Sequence, residues 1–418
     1  MRISVLKTIV LAVLCVTLAP FAEAQMNIPV QFMHVDRNVR GVLSLPAQPG
    51  PYATVVIVPG SGANDRDGTA LLVGGYAPCL YPQLVGQTLK PYKGLGDALV
   101  AAGYAVLRYD KLEFTYANNL GVVTFDKLWL PVRSAINFLK TRPEVDTNQI
   151  ILLGHSEGSS LIPFVANGRS DVHALISLAG AMTPFDSILA NQLVGFAQMC
   201  NGNVVQAQTE ATQILNYFGV IRAGTPPLNT PPLFGVTAPE WRNYVLATDT
   251  VAGFYNAAAK PSLFIGLGAD VNVPPSELTR FQGAVTVTND FWLLPNINHL
   301  LTTNSSPAFV QQIADTIVHW LGSRGIFTST PNLQLGIGIK AYPNPATDWM
   351  KLDFELPLNQ AGSYRVIDAA GRVHLREQIP AGVSGIQIPL TAIASGMYYV
   401  EVQYEGRSKH LPLLVQKR

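Results

Sequence analysis

The chain has 418 residues, which is too long for one small domain and fits two. Hydrophobic residues make up 48% and charged residues 13%, so the chain can bury a large core, and the formal net charge is +1. A charge this close to zero gives no electrostatic basis for binding nucleic acid or an anionic membrane, and it excludes functions that depend on a basic patch.

The first 24 residues have the pattern of an export signal. Arg2 and Lys7 form a basic start, and the apolar run Thr8–Leu18 is too short to span a bilayer stably. Ala22-Glu-Ala24 supplies the small residues that a signal peptidase requires, which predicts removal of residues 1–24 and a mature start near Gln25. No later apolar run is long enough to predict a membrane span, so we expect a soluble mature chain.

Residues 25–327 alternate between short apolar runs and helix-length segments. The runs lack period-2 alternation, as expected of strands buried on both faces; they are Ala53–Val58, Tyr104–Tyr109, Gln149–Leu153, Ala174–Leu178, Ser262–Gly266 and Asp290–Leu294. Helix candidates lie at Lys93–Ala102, Leu128–Thr141, Ser159–Ala166 and Pro307–Gly322. Strands separated by helices predict a mostly parallel sheet with right-handed crossovers, that is, an α/β domain.

Residues 185–260 interrupt this rhythm. Helices are predicted around Val204–Phe218 and Pro239–Ala247, with the Pro-rich loop Thr225–Pro232 between them. An insertion of this kind between two sheet strands is typical of a cap over the carboxyl ends of the strands.

The texture of the sequence changes again after Gly325. Residues 328–336 have the composition of a linker, and residues 337–418 contain short alternating segments with closely spaced turns. The segments are Met350–Leu356, Tyr364–Asp368, Ile386–Leu390 and Met397–Val402. This pattern predicts a small antiparallel β-sandwich as a second domain.

Only Cys79 and Cys200 remain after removal of the signal. They can pair in an oxidising compartment, or they can be two separate, partly buried thiols, and the sequence leaves both readings open. No Cys or His spacing matches a metal site, so we expect no bound metal.

Gly154-His-Ser-Glu-Gly158 is a G-x-S-x-G motif between a predicted strand and a predicted helix. The glycines leave room for a sharp turn that lifts the hydroxyl of Ser156 out of the sheet at a helix N-terminus. We therefore predict Ser156 as a nucleophile. His155 is expected to point elsewhere by strand alternation.

A serine hydroxyl needs a base that accepts its proton. Among the histidines, His299 lies in a short loop between the predicted strand Asp290–Leu294 and the last helix, and the order Ser–acid–His fits. Asp270 follows the intervening strand and is the predicted acid, with Asp249 and Asp290 as competitors.

An oxyanion hole needs two backbone donors. We predict the N–H of Glu157, directly after the nucleophile, and the N–H of Ser61, with Gly60 or Gly62 as alternatives to Ser61. The adjacent Asn64–Gly68 segment either binds a polar part of the substrate or forms a salt-bridged loop that supports the turn, and the second reading is favoured.

Several segments together resemble α/β-hydrolase-fold esterases of the dienelactone hydrolase and serine aminopeptidase-like group. They are Pro59–Gly68, Leu107–Lys111, Gly154–Gly158, Ala269–Pro274 and Leu294–His299, and the resemblance covers about residues 28–325. It implies a carboxylic ester hydrolase that works through an acyl-enzyme without a cofactor, with Ser156, Asp270 and His299 as its triad. Leu112-Glu-Phe-Thr departs from the family pattern, and residues 69–92 are longer than usual.

The C-terminal part is similar to type A sorting domains of the type IX secretion system. The matching pieces are Ala341–Asp348, Val366–Arg372, Leu390–Val400 and the basic end Lys417-Arg418. The resemblance implies that the secretion machinery is a partner and that the chain reaches the cell surface or the medium. A carbohydrate-binding or adhesive β-module is the alternative.

The sequence thus predicts an exported serine hydrolase acting on small esters. A short-peptide peptidase on the same fold, or a non-catalytic surface or binding protein, are the alternatives; the intact, correctly ordered triad argues against the latter.

Overall fold

The computed structural model describes residues 25–48, 50–118, 120, 124–224, 230–326, 339–368, 372–404 and 407–417. The predicted signal peptide 1–24 and the predicted linker 328–336 lie outside these residues. None of the described helices is long and apolar enough to cross a lipid bilayer.

An 8-stranded sheet forms the centre of the N-terminal domain, in the order β1-β2-β6-β3-β7-β8-β9-β10. Its first two strands form an antiparallel hairpin, β2 pairs antiparallel with β6, and the strands from β6 to β10 run parallel. The two-residue strands β4 and β5 pair with each other outside this sheet. The strands of this domain are β1 (Met26–His34), β2 (Arg37–Leu45), β3 (Tyr52–Val58), β4 (Ala70–Leu71), β5 (Thr88–Leu89), β6 (Ala105–Tyr109), β7 (Val145–His155), β8 (Val172–Leu178), β9 (Ser262–Leu267) and β10 (Asn289–Leu294).

Helices cover both faces of the sheet. They are α1 (Ala77–Leu80), α2 (Pro91–Ala101), α3 (Leu112–Thr115), α4 (Phe125–Leu139), α5 (Glu157–Ala166), α6 (Phe185–Met199), α7 (Val204–Arg222), α8 (Ala238–Thr248), α9 (Val251–Ala258), α10 (Ser276–Ala284) and α11 (Gln311–Ser323). Helices α6 to α9 fill the segment predicted as a cap.

Two separate hydrophobic clusters explain why the central strands read as continuous apolar runs. In β3, Val56 and Val58 pack in one cluster with α4 and α5, whereas Val55 and Ile57 pack in the other with α2 and α11. All seven residues of β3 are buried, because side chains that alternate in direction meet a helical layer on either side. The predicted α/β class of this domain is confirmed.

The C-terminal domain is a sandwich of a 3-stranded and a 4-stranded antiparallel sheet, with strand orders β11-β12-β15 and β14-β13-β16-β17. Its strands are β11 (Ile339–Tyr342), β12 (Trp349–Phe354), β13 (Gly362–Asp368), β14 (Val373–Ile379), β15 (Gly385–Pro389), β16 (Gly396–Tyr404) and β17 (Arg407–Val415). Alternate residues such as Met350, Leu352 and Phe354 of β12 point into a core of its own. The predicted β-sandwich is confirmed.

Candidate active site

The turn between β7 and α5 holds Ser156 in a backbone conformation that side chains rarely adopt. Its φ is 54° and its ψ is −121°, and its N–H donates to the carbonyl oxygen of Leu178, 2.9 Å away. A Cβ atom on Gly154 would lie 2.3 Å from the carbonyl oxygen of Gly158, and one on Gly158 would lie 2.2 Å from that of Val58. Only glycine therefore fits at both positions, and the strained turn presents Ser156 at the N-terminus of α5.

Asp270 and His299 are hydrogen-bonded in the loops that follow β9 and β10. His299 Nδ1 lies 2.7 Å from Asp270 Oδ2, and the Asp270 side chain is completely buried. The other carboxylate oxygen, Oδ1, accepts the N–H groups of Asn272 at 2.8 Å and Val273 at 2.9 Å. Because the carboxylate can only accept, Nδ1 of His299 carries the hydrogen and Nε2 is left as the basic nitrogen.

The two competing acids are engaged elsewhere. Asp249 accepts hydrogen bonds from Arg222, with Nε at 2.6 Å. Asp290 accepts from Trp320 Nε1 at 2.7 Å and pairs with Arg324. Of the three predicted acids, Asp270 is the one that the structure brings to His299.

His155 does not point away from the site, and that expectation was wrong. Its ring centroid lies 4.7 Å from that of His299, and its Nε2–H donates to the backbone carbonyl of His299 at 3.1 Å. The strand ends at His155, so strand alternation no longer fixes its direction relative to the strained turn. Burial and the neighbouring His299 lower the pKa of His155 well below its usual value, so its imidazole stays neutral.

A hydrogen-bond chain links His155 to the loop that follows β3. His155 Nδ1 accepts from the hydroxyl of Tyr92 at 3.0 Å, and that hydroxyl accepts the N–H of Gly60 at 2.9 Å. Burial raises the pKa of Tyr92 to about 12, so its phenol keeps the proton that it donates. A Cβ atom on Gly60 would lie 3.1 Å from Ser156 Cβ, which places this loop directly against the nucleophile turn.

The geometry of Gly60 narrows the choice of oxyanion donors. Its N–H is already bound to Tyr92, which removes Gly60 from the alternatives to Ser61. Within the part of the chain that the structure describes, no hydrogen bond occupies the N–H of Ser61 or that of Glu157.

The charged side chains Arg66 and Asp67 of the Asn64–Gly68 segment form ion pairs with other residues of the domain. Arg66 binds Asp110 with two nitrogens, Nε to Oδ1 at 2.9 Å and Nη2 to Oδ2 at 2.6 Å. Asp67 pairs with Arg108, and Asn64 Nδ2 donates to the carbonyl oxygen of Ser61 at 2.8 Å. These contacts support the turn beside Ser61, in line with the salt-bridged reading of this segment.

Sequence comparison finds similarity between this chain and a known esterase, and between part of it and a hydrolase family model. The chain is 25% identical over 311 residues to "Esterase EstD" of Thermotoga maritima, a match that covers 70% of this chain and 68% of the esterase. Residues 132–233 match the family model "BAAT / Acyl-CoA thioester hydrolase C terminal". The N-terminal domain, with its mostly parallel sheet covered by helices, has the α/β-hydrolase fold and is similar in sequence to an esterase.

Two solved structures are similar to most of this chain at low sequence identity. A dienelactone hydrolase from Anabaena variabilis has a TM-score of 0.43 and 15% identity, covering 72% of this chain and 98% of that one. Est1E from Butyrivibrio proteoclasticus has a TM-score of 0.43 and 15% identity, covering 71% of this chain and 98% of that one.

Residues 340–416 match the family model "Secretion system C-terminal sorting domain". The C-terminal sandwich is therefore a sorting domain, and it marks the hydrolase for type IX secretion to the cell surface or the medium. Asn344, in the predicted motif Ala341–Asp348, joins this motif to the last strand, since its Oδ1 accepts the N–H of Leu414 at 2.9 Å.

A disulfide ties the segment predicted as a cap to the long segment 69–92. Cys79 in α1 is bonded to Cys200 at the end of α6; the two residues are 121 positions apart in the sequence and their Cα atoms are 5.6 Å apart. The reading as two separate thiols was wrong. The two cysteines lie in helices of two different insertions that are far apart in the sequence, so their spacing alone could not reveal the pairing.

Both insertions also contact the loop that carries Asp270. Gln192 of α6 donates to the carbonyl oxygen of Asn272 at 2.8 Å, and the hydroxyl of Tyr81 donates to its side-chain oxygen at 3.3 Å. Leu84 and Leu89 belong to a buried cluster against which Val271 and Leu300 pack, next to Asp270 and His299. The segment 69–92 thus forms one wall beside the triad candidates.

Proposed function

We propose that the chain is an exported serine hydrolase that cleaves small carboxylic esters through an acyl-enzyme. Ser156 Oγ attacks the acyl carbon while His299 Nε2 takes its proton, and Asp270 holds the imidazole and stabilises its charged form. The N–H groups of Ser61 and Glu157 donate to the oxyanion of the tetrahedral intermediate.

His299 accepts and returns the proton in each half of the proposed cycle. The protonated imidazole gives its proton to the leaving alcohol as the intermediate collapses to an ester on Ser156. Water then attacks this ester with His299 again as base, and the acid product leaves with Ser156 restored. Neither half of the cycle requires a cofactor.

One observation carries the proposal: His299 is hydrogen-bonded to the buried Asp270, and its ring lies 4.7 Å from that of His155, the residue directly before Ser156 in the strained turn. Oδ1 of the buried Asp270 already accepts two backbone N–H groups. Its other oxygen, Oδ2, faces His299 Nδ1. A buried acid that accepts from Nδ1 fixes the tautomer that a general base needs, with Nε2 free to take a proton.

Export is part of the proposal. Residues 1–24 would direct the chain into the periplasm as a signal peptide, and the sorting domain would then take it across the outer membrane. The Cys79–Cys200 disulfide fits this route, because disulfides form and persist in oxidising compartments.

The peptidase alternative requires an acidic group that is free to bind a substrate amino terminus. The carboxylate of Glu157, the residue directly after the nucleophile, is instead occupied by Lys111 at 3.2 Å and by the hydroxyl of Tyr244 at 2.9 Å. This arrangement favours an ester substrate without an ammonium group.

The test is turnover by the purified full chain of three panels: chromogenic esters of graded acyl length, acyl thioesters and aminoacyl anilides. We expect ester turnover that is lost in Ser156→Ala and kept in Ser276→Ala, a control at an exposed serine of α10. Anilide turnover without ester turnover would move the assignment to a peptidase. A folded chain that turns over no panel, and whose Ser156 does not react with a fluorophosphonate, would refute the proposal.

A further inference from the structure

Lys111 is a buried ammonium group that the proposed cycle does not use. It follows β6, its side chain is 5% exposed, and its Nζ donates to the carbonyl oxygen of Gly60 at 3.0 Å. The same nitrogen pairs with Glu157 Oε2 at 3.2 Å and with Glu113 Oε1 at 3.1 Å. Burying a charged amine is costly, so its retention beside the nucleophile turn calls for a reason.

Lys111 stays charged in this environment. Burial lowers the pKa of its amine, but the carboxylates of Glu157 and Glu113 reverse that effect and leave the pKa above its usual value. Glu157 is held from the other side by Tyr244 of the cap, whose phenol pKa burial raises well above its usual value, so that it remains a donor. The charged amine is therefore held at Gly60 at neutral pH.

The position of Lys111 determines the direction of the N–H of Ser61. The carbonyl of Gly60 and the N–H of Ser61 belong to one planar trans peptide and point in opposite directions. Lys111 Nζ and Asn64 Nδ2, at 3.0 and 3.1 Å, hold the oxygen end of this peptide. A cation bound to the oxygen also draws electron density from the amide, which makes its N–H a stronger donor.

We infer that Lys111 is a positioning residue of the oxyanion hole, which holds and polarises the Gly60–Ser61 peptide for the developing oxyanion. Its ion pair with Glu157 joins this peptide to the residue that supplies the second N–H, so one buried contact aligns both donors. The inference rests on the proposed serine hydrolase function.

The test compares the full chain with Lys111→Met and with the double variant Lys111→Met/Glu157→Gln, in which Lys111 and its carboxylate partner lose their charges together. Lys140→Met, which removes an exposed lysine paired with Asp171, is the matched control. The readouts are kcat and KM for the best ester, and the inhibition constant of a trifluoromethyl ketone, which forms a tetrahedral oxyanion on the serine. Circular dichroism verifies that each variant is folded.

We expect kcat to fall about 100-fold in both Lys111 variants, as for the loss of one oxyanion donor, while KM changes by less than about threefold. The ketone should bind about 100-fold more weakly in the same variants, because it depends on the same donors. A purely structural role for Lys111 would not make the loss of kcat match the loss of ketone binding.

Two results would overturn the inference while leaving the proposed function intact. One is a folded Lys111 variant with unchanged kcat, and the other is a fall in kcat with unchanged ketone binding. A wild-type chain whose Ser156 fails to react with a fluorophosphonate would instead overturn the proposed function, and this inference with it.

Discussion

Removing the disulfide by Cys79→Ser/Cys200→Ser should destabilise the hydrolase domain substantially. The bond closes a loop of 121 residues, and the chain entropy that it removes from the unfolded state corresponds to about 5 kcal/mol at 25 °C. Measured contributions of disulfides are typically about 2–4 kcal/mol, so we expect a loss within about 2–5 kcal/mol and a fall in melting temperature of about 10 °C. Turnover at 25 °C should largely persist, because Ser156, Asp270 and His299 stand on loops of the central sheet.

The assay is urea unfolding of the full chain, followed by tryptophan fluorescence, with and without dithiothreitol. The reductant should shift the wild-type midpoint to that of the double variant, and it should leave the double variant itself unchanged. Alkylation of free thiols under denaturing, non-reducing conditions, followed by mass spectrometry, reports directly whether Cys79 and Cys200 are paired.

Three outcomes would refute this reasoning. Equal unfolding midpoints for the oxidised wild type and the double variant would mean that the crosslink adds no stability. A reductant effect of the same size in both proteins would locate the effect elsewhere. Alkylation of both cysteines in protein isolated from the periplasm would mean that the bond does not form.

Two further changes test the nucleophile turn and its neighbour. Gly158→Ala places a Cβ atom 2.2 Å from the carbonyl oxygen of Val58, so the turn must shift and kcat should fall about 100-fold. The control is Gly219→Ala in α7, where a Cβ atom meets no other atom within 4 Å. An unchanged kcat in Gly158→Ala would contradict the strained geometry. Burial lowers the pKa of His155 in the folded state, so the unfolded chain binds more protons than the folded chain below about pH 6.5. The free energy of unfolding of the wild type should therefore decrease as the pH falls. This decrease should be steeper than in His155→Gln by up to about 1.4 kcal/mol per pH unit. Urea unfolding at pH 7.5, 6 and 5 measures this difference, and parallel pH dependences would contradict the assignment.

The sequence predicts the features of this protein that arise from local patterns. The central strands are recognisable because each is a short apolar run buried on both faces, as in β3 and β9. Strand β14 and helix α6 were not predicted, because β14 is largely exposed and α6 fully buries only Asp186, Ala190 and Ala197. Apolar residues of both elements that pack against a core, such as Leu189 and Leu193 of α6 and Leu375 of β14, are only partly buried, so the burial pattern is weak.

The same distinction applies to the site. The turn around Ser156 is encoded within five residues, and the order of serine, acid and histidine narrows the partners to a few positions. The bonds from Tyr92 to His155 and from Lys111 to Gly60 join residues 63 and 51 positions apart, and no local pattern marks them. His155 could have been suspected on one ground alone: a histidine at the buried end of a strand requires polar partners.

Gly60 is the residue at which these non-local contacts meet. Its N–H leads through the Tyr92 hydroxyl and the His155 ring to the backbone carbonyl of His299, and its carbonyl oxygen leads through Lys111 to Glu157. The predicted base, His299, is thus linked to the N–H of Gly60, and Glu157, the residue after the predicted nucleophile, is linked to its carbonyl oxygen. A displacement of either contact would alter the direction of the Ser61 N–H relative to the substrate. Since rate depends on donors being aligned before the charge develops, fixing Gly60 through both its N–H and its carbonyl oxygen reduces the reorganisation that accompanies oxyanion formation.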